Sequence, residues 1–287
     1  MAITTNEQRR RFDEQGYLVV PGVLSREELE RFGAAVDRGV AARSAHDPRP
    51  LAERTRYEQS FRQIINLWED HEEVRRLTFH PRIAQIAAEL VGAPALRLWH
   101  DQALYKEPGG RETDAHHDQP YWPLVETQTI TAWIAFDGAD LESGCMGFVP
   151  GSHRFGVKTF ANIFTASGFD LEHGPEARGI APEWSPVKPG DVSFHHGLTI
   201  HVAKPNQSRT VRRVHTMIYF ADGTSRKPGK QRHPCVDRAG IEPGALVQSD
   251  VTPIAWPRAE GDLPKPPPLP DPPIPGWPGS NARMWTS

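Results

Sequence analysis

The alternation of apolar and polar positions divides the chain into a helical beginning, a strand-rich centre and a proline-rich end. Thr5-Asn6-Glu7-Gln8 and Ser25-Arg26-Glu27-Glu28 each place a hydroxyl three residues ahead of a Gln or Glu. In such a capping box the hydroxyl accepts from one free backbone N–H and the later side chain accepts from another, so two helices are expected to start there. The first stops at Gly16, before the β-prone run Tyr17-Leu18-Val19-Val20-Pro21, and the second carries Leu29, Phe32, Val36 and Val40 on one face. After a polar stretch from Ser44 to Thr55, a third helix is expected over Pro81 to Val91. Ile83, Ile86, Ala87 and Leu90 are in phase there, and Gly92 follows the last turn. No further helix is expected.

From Ala95 to Phe220 the pattern shortens to β-prone runs broken by Gly, Pro and Asn: Leu96–Tyr105, Thr129–Phe136, Gly147–Val149, Asp191–Phe194 and Val211–Phe220. This texture predicts a mainly β fold with flanking helices, a sandwich or jelly-roll barrel. The stretch 155–189 shows no periodicity and holds Phe160, Phe164, Phe169 and Trp184. Long loops inside a compact domain are usually lids or binding loops, and this one is expected to cover a substrate. One domain is therefore expected over 1–250, with the lid near 155–189, followed by a proline-rich C-terminal extension over 251–287. Pro264 to Pro278 allows only polyproline II or an irregular wrap, which Trp277 and Trp285 could pin onto the barrel.

Composition removes several function classes. The chain has 287 residues and a formal charge of −3, too small to draw it to nucleic acid or an anionic membrane. No apolar run approaches the ~20 residues of a membrane span, and the opening MAITTNEQRRRF is charged where a signal peptide would be apolar. Cys145 and Cys235 are too few for a disulfide framework and lack zinc spacing, so a reducing, cytoplasmic setting and a small-molecule partner are expected. The oligomeric state is not legible.

Thirteen histidines change the picture, because neutral imidazole is the commonest metal ligand near neutral pH. On a strand, positions i and i+2 share a face, so His116-x-Asp118 offers an imidazole and a carboxylate to one point. A third ligand would come from Gly190-Asp191-Val192-Ser193-Phe194-His195-His196-Gly197-Leu198-Thr199-Ile200-His201, where His195, His196 and His201 all compete. Two His and one carboxylate with open positions suit iron(II) and O₂. In Val211-Arg212-Arg213-Val214-His215-Thr216-Met217-Ile218, Arg212 shares parity with Val214, Thr216 and Ile218 and should point inward, whereas His215 should point away. An interior arginine requires an anion, and the far carboxylate of 2-oxoglutarate suits its planar fork; a structural aspartate is the alternative.

These motifs resemble the phytanoyl-CoA dioxygenase family in their order along residues 8–221. The resemblance rests on Phe12-x-x-x-Gly16-Tyr17-Leu18-Val19-Val20-Pro21-Gly22-Val23-Leu24, on His116-His117-Asp118-Gln119-Pro120-Tyr121-Trp122-Pro123, on Trp133-Ile134-Ala135-Phe136 with Glu142-Ser143-Gly144-Cys145 and Pro150-Gly151-Ser152-His153, and on Gly190-Asp191 through His201. It implies a double-stranded β-helix (jelly-roll, cupin-like) core, iron(II) on His116, Asp118 and His201, and 2-oxoglutarate with O₂ as co-substrates. It implies Arg212 as the 2-oxoglutarate anchor, with contacts from Gln102 and Trp133. Ala203 stands where the family often has a serine touching the co-substrate. Asp118 favours hydroxylation over the halogenation of relatives that lack this carboxylate.

Tyr105, Trp122, His153, Phe160, Phe164 and Trp184 are candidates for the substrate pocket, and an aromatic wall would favour a partly apolar substrate. His100 shares parity with Gln102, and His117 should face away from the ligands. The resulting expectation is a dioxygenase that hydroxylates an unactivated C–H bond and releases succinate and CO₂. Two rival readings are a metal-binding β-barrel without oxygenase activity, and a hydrolase or isomerase whose divalent ion activates water.

Overall fold

The computed structural model describes residues 2–45, 47–156, 161–164, 168–171, 179–259 and 261–268. Both capping boxes form as the sequence dictates. Thr5 and Gln8 close the start of α1 (Asn6–Gln15), and Ser25 and Glu28 close that of α2 (Arg26–Ser44). Gly16, at φ 80°, ends α1 in the left-handed conformation and turns the chain into β1 (Tyr17–Val20).

The polar region between α2 and the third expected helix is more structured than its sequence suggests. It holds β2 (Arg62–Ile65), α3 (Leu67–Asp70) and α4 (Glu72–Thr78) before α5 (Pro81–Val91). Asn66, at φ 57°, makes the left-handed turn from β2 into α3. The strands that follow are β3 (Leu96–Lys106), β4 (Thr113–His116), β5 (Thr129–Ala135), β6 (Met146–Phe148), β7 (Glu183–Ser185), β8 (Val192–His196), β9 (His201–Ala203) and β10 (Arg212–Ala221). A short helix, α6 (Pro234–Asp237), capped by the His233 side chain, and β11 (Ile254–Trp256) close the described fold.

The strands form two antiparallel sheets, one ordered β1-β8-β5-β10-β3-β11 with β2 also on β3, the other β4-β9-β6-β7. Trp133, Ala135 and Val214 of the large sheet share one buried cluster with Met146, Phe148 and Ala203 of the small sheet, so the two pack face to face as a jelly-roll core. On its other face the large sheet is covered by helices: Phe12, Phe32, Val36, Ile83 and Ile86 bury against Ile130, Ile134, Phe194, Met217 and Tyr219. Strand alternation explains the division, because β10 sends Val214, Thr216 and Ile218 into the barrel and Met217 and Tyr219 toward the helices.

The division expected at 250/251 falls beside a segment bonded to the sheet. Leu98 N–H donates to the Pro253 carbonyl, and Ile254 and Trp256 pair with β3. Trp277 and Trp285 lie outside the described residues. Among the described residues no helix is long and apolar enough to cross a membrane.

Candidate metal centre and active site

β4 ends at His116, which lies directly opposite His201, the first residue of β9. Each imidazole donates Nδ1–H to a carbonyl two residues earlier, His116 to Asp114 at 2.7 Å and His201 to Thr199 at 3.0 Å. A carbonyl only accepts, so the proton is fixed on Nδ1 and each Nε2 keeps its lone pair. The two Nε2 atoms lie 3.6 and 3.8 Å from Asp118 Oδ1. All three ligand atoms fall within 4.8 Å of one another, a spacing that a single metal ion can gather.

Asp118 reaches this point by a route other than the expected strand parity. The strand has already ended, and Asp118 takes helical backbone angles (φ −80°, ψ −37°) at the start of a short 3-10 turn. Its N–H and that of Gln119 both donate to the Gly197 carbonyl, at 2.9 and 2.8 Å. Gly197 sits in the turn between β8 and β9, where an added Cβ would lie 2.2 Å from Thr129 Oγ1. The hairpin that delivers His201 therefore also fixes the Asp118 backbone. On the far side of the carboxylate, Oδ2 lies 3.4 Å from Thr131 Oγ1 and 3.4 Å from His195 Nε2.

Burial by itself would raise the Asp118 carboxyl, but the imidazoles of His201, His116 and His195 hold it well below the usual carboxylate range. Burial, with His116 alongside, pushes His201 well below an ordinary histidine, so it is neutral, as a ligand must be. Two imidazoles and one carboxylate make a donor set for a divalent transition metal. Of the competing histidines, His196 turns away, its Nδ1 accepting from Leu198 N–H at 3.0 Å. His195 points inward, 2% exposed, yet its nearest ligand-set atom is Asp118 Oδ2 and it stands outside the three-residue cluster.

Arg212 enters the same cavity from β10 and is 4% exposed. Its Nη1 donates to the Gly144 carbonyl at 2.6 Å, and the guanidinium stands 5.5 Å from the Trp133 ring centre. Burial lowers its pKa to about 10, so it remains a cation at neutral pH. Its Nε has no hydrogen-bond partner, and no carboxylate pairs with it among the described residues. A buried cation without a counter-ion can take an anionic ligand, and among the described residues no aspartate supplies the structural alternative. Gln102 also lines the cavity; its Oε1 accepts from Gln63 Nε2 at 2.6 Å.

The cavity, open mouth included, spans about 790 Å³. Trp122 and Phe164 line it as expected. Tyr105 does not: it lies on the opposite strand face, its hydroxyl donating to Asp37 Oδ1 at 2.5 Å on the helical side. His153 is held at α1, with Nε2 3.0 Å from the Asp13 carbonyl, and Trp184 stacks under the Lys204 ammonium at 4.1 Å, neither of them on the cavity wall. Phe160 lies outside the described residues. Ala203 lines the cavity without a hydroxyl, His117 packs on Phe169, and His215 faces the helices, 3.4 Å from Asp101 Oδ2.

Sequence reasoning missed Tyr57, Phe61, Gln63, Tyr121 and Ile163, all on the wall. Phe61 and Gln63 alternate into the cavity on β2 and its approach, a two-residue signal too short to stand out from its polar surroundings.

The sequence model of the family described as "Phytanoyl-CoA dioxygenase (PhyH)" matches residues 12–214. A methylphosphonate hydroxylase from Gimesia maris is 28% identical over 230 residues, covering 76% of this chain and 81% of that protein. Among solved structures, the non-heme α-ketoglutarate-dependent carbocyclase SnoK from nogalamycin biosynthesis is 33% identical with a TM-score of 0.74, covering 88% of this chain and 96% of its own. The epimerase SnoN, solved with Fe³⁺, α-ketoglutarate and nogalamycin RO, is 26% identical with a TM-score of 0.69, covering 87% of this chain and 97% of its own.

Proposed function

We propose, from the premise that this chain belongs to the phytanoyl-CoA dioxygenase family of iron- and 2-oxoglutarate-dependent oxygenases, that it hydroxylates an unactivated C–H bond of a small, partly apolar organic molecule. In this reading His116, Asp118 and His201 hold iron(II). Arg212 takes the far carboxylate of 2-oxoglutarate, flanked by Gln102 and Trp133. The observation that supports it most is the coexistence, in one cavity, of a two-histidine, one-carboxylate cluster and a buried arginine with no carboxylate partner.

When bound, iron and 2-oxoglutarate supply the oxidation: O₂ places one atom in succinate, which forms with CO₂, and the other in the hydroxylated product. The chain's own residues supply placement. The Nδ1–H donations of His116 and His201 orient both ligand rings, and the Gly197 carbonyl sets the Asp118 turn. Asp118 occupies the ligand position that a halide would need, which favours hydroxyl as the group returned. The aromatic wall holds the apolar part of the substrate away from water, and Ile163 and Phe164 stand on that wall.

A second reading draws support from the 33% identity to a carbocyclase: C–H oxidation that ends in ring closure rather than oxygen insertion. Anaerobic addition of iron(II) and 2-oxoglutarate is expected to give a weak visible charge-transfer band that Arg212→Ala weakens; no band in the wild type would sink the oxygenase assignment of this cavity. Turnover under ¹⁸O₂ then separates the two readings, since label in the product supports hydroxylation, while succinate without product label supports ring closure.

A further inference from the structure

Part of the cavity wall has a chemistry that the iron and 2-oxoglutarate do not use. The cavity's only carboxylate and its only guanidinium or ammonium, among the described residues on its wall, are Asp118 and Arg212, both already assigned. The rest of the wall includes the rings of Tyr57, Phe61, Tyr121, Trp122 and Phe164, together with Thr216 and His195, whose buried polar atoms have no hydrogen-bond partner. The tyrosine hydroxyls are engaged within the protein: Tyr57 donates to Gln63 at 3.1 Å, and Tyr121 donates to the Ala161 carbonyl at 2.7 Å while accepting from Ile163 N–H at 3.0 Å. Those two residues therefore offer ring faces, not hydroxyls, to a ligand.

His100, on the same wall, differs from the aromatic rings in offering an acceptor. It is 4% exposed and lies 3.3 Å, through Nδ1, from the Asp101 carbonyl. A carbonyl supplies no proton, so Nδ1 carries the hydrogen and the ring presents a lone pair at Nε2. Burial pushes the ring down to about 4, which keeps it neutral, and no described side chain donates to Nε2. A lining acceptor with no donor in the protein is satisfied by a donor from the ligand.

We infer that the substrate is a neutral ring compound bearing a hydroxyl, whose ring packs on the aromatic wall and whose O–H donates to His100 Nε2. This rests on the oxygenase reading of the same cavity and narrows it. An anionic substrate such as a phosphonate finds no free cation on the described wall, so the chain departs in specificity from its methylphosphonate-hydroxylating relative.

The test is calorimetric titration of the full chain, loaded anaerobically with iron(II) and 2-oxoglutarate, using 1-naphthol, naphthalene, 1-naphthoate and methylphosphonate. We expect 1-naphthol to bind about tenfold more tightly than naphthalene, the order of one buried hydrogen bond, and both anions to bind more weakly than naphthalene. His100→Leu should erase the preference for 1-naphthol over naphthalene, His100→Gln should retain part of it, and 2-oxoglutarate affinity should stay unchanged in both. Tighter binding of either anion, no binding of 1-naphthol, or an unchanged preference in His100→Leu would overturn the inference. Failure of 2-oxoglutarate to bind before any ring compound is added would instead overturn the oxygenase reading, so the two failures are distinguishable.

Discussion

Arg212 shows how a single side chain can suit a ligand: burial strips water from its guanidinium, and the described residues return one carbonyl and an aromatic face but no carboxylate. Replacing it with Ala is expected to raise the KM for 2-oxoglutarate on the order of a hundredfold, the weight of a lost charge-assisted fork, with a smaller effect on kcat. Arg212→Lys should recover only part, because an ammonium cannot make the two parallel bonds. Steady-state kinetics with 2-oxoglutarate as the varied component check both, and equal KM values across the three proteins would contradict the assignment. His195, beside Asp118 Oδ2, is a positioning residue by its place. His195→Leu should weaken iron(II) binding about tenfold, in line with the loss of a contact behind a metal ligand, as read by metal titration; unchanged iron affinity would remove that role. The inward side of Arg212 was legible because strand alternation governs ten residues of β10. Tyr105 was misread because alternation on β3 sends it to the helical face, while its neighbours Gln102 and Leu104 face the cavity.

At the scale of elements, the turn between β8 and β9 has the tightest tolerance in the site. Gly197→Ala would set a Cβ 2.2 Å from Thr129 Oγ1 and 3.0 Å from the Trp122 ring, so the turn must shift. We expect a stability loss of about 1–3 kcal/mol, together with weaker iron binding because the Asp118 turn hangs on the Gly197 carbonyl. Denaturant unfolding and metal titration measured on one preparation would reveal both, and a variant with unchanged metal affinity would show that the carbonyl is not needed to place Asp118. The elements most legible in the sequence were those with their own local signals. The capping boxes mark α1 and α2, and Pro81 with Gly92 brackets α5. Those left unread are held by tertiary partners: β2 is a four-residue strand containing Arg62 and Gln63 that exists by pairing with β3, and α3 begins at a left-handed Asn66. Asp118 belongs to the same class, since its turn is set by the Gly197 carbonyl, 79 residues away in the chain, rather than by local pattern.

Across the whole molecule, several histidines are buried neutral, and their titration links folding to pH. Burial pushes His100 and His196 from 6.5 down to about 4. The unfolded chain takes up protons below pH 6.5 while the folded chain does so only near 4, so their contribution is complete above 6.5 and is lost as pH falls through that window. Each should cost about 1.4 kcal/mol per pH unit inside the window. Urea unfolding at pH 7.0, 5.5 and 4.5 is expected to show this decline, and a flat profile would mean that these rings are protonated in the folded state. The β core itself was readable from the spacing of short strands, but the place of β1 was not, because it forms the edge of the large sheet by pairing with β8, far down the chain. That junction is also tied at Gly16. Its carbonyl accepts from His196 N–H and from Thr199 Oγ1, 183 positions away, and the Thr199 carbonyl in turn receives the His201 Nδ1–H. During synthesis from the N-terminus, α1 and β1 therefore wait for nearly the whole barrel to emerge before this contact can close. The His201 ring takes its orientation from that Thr199 carbonyl, so in the proposed reading iron capture is expected to be a late event in the birth of the molecule.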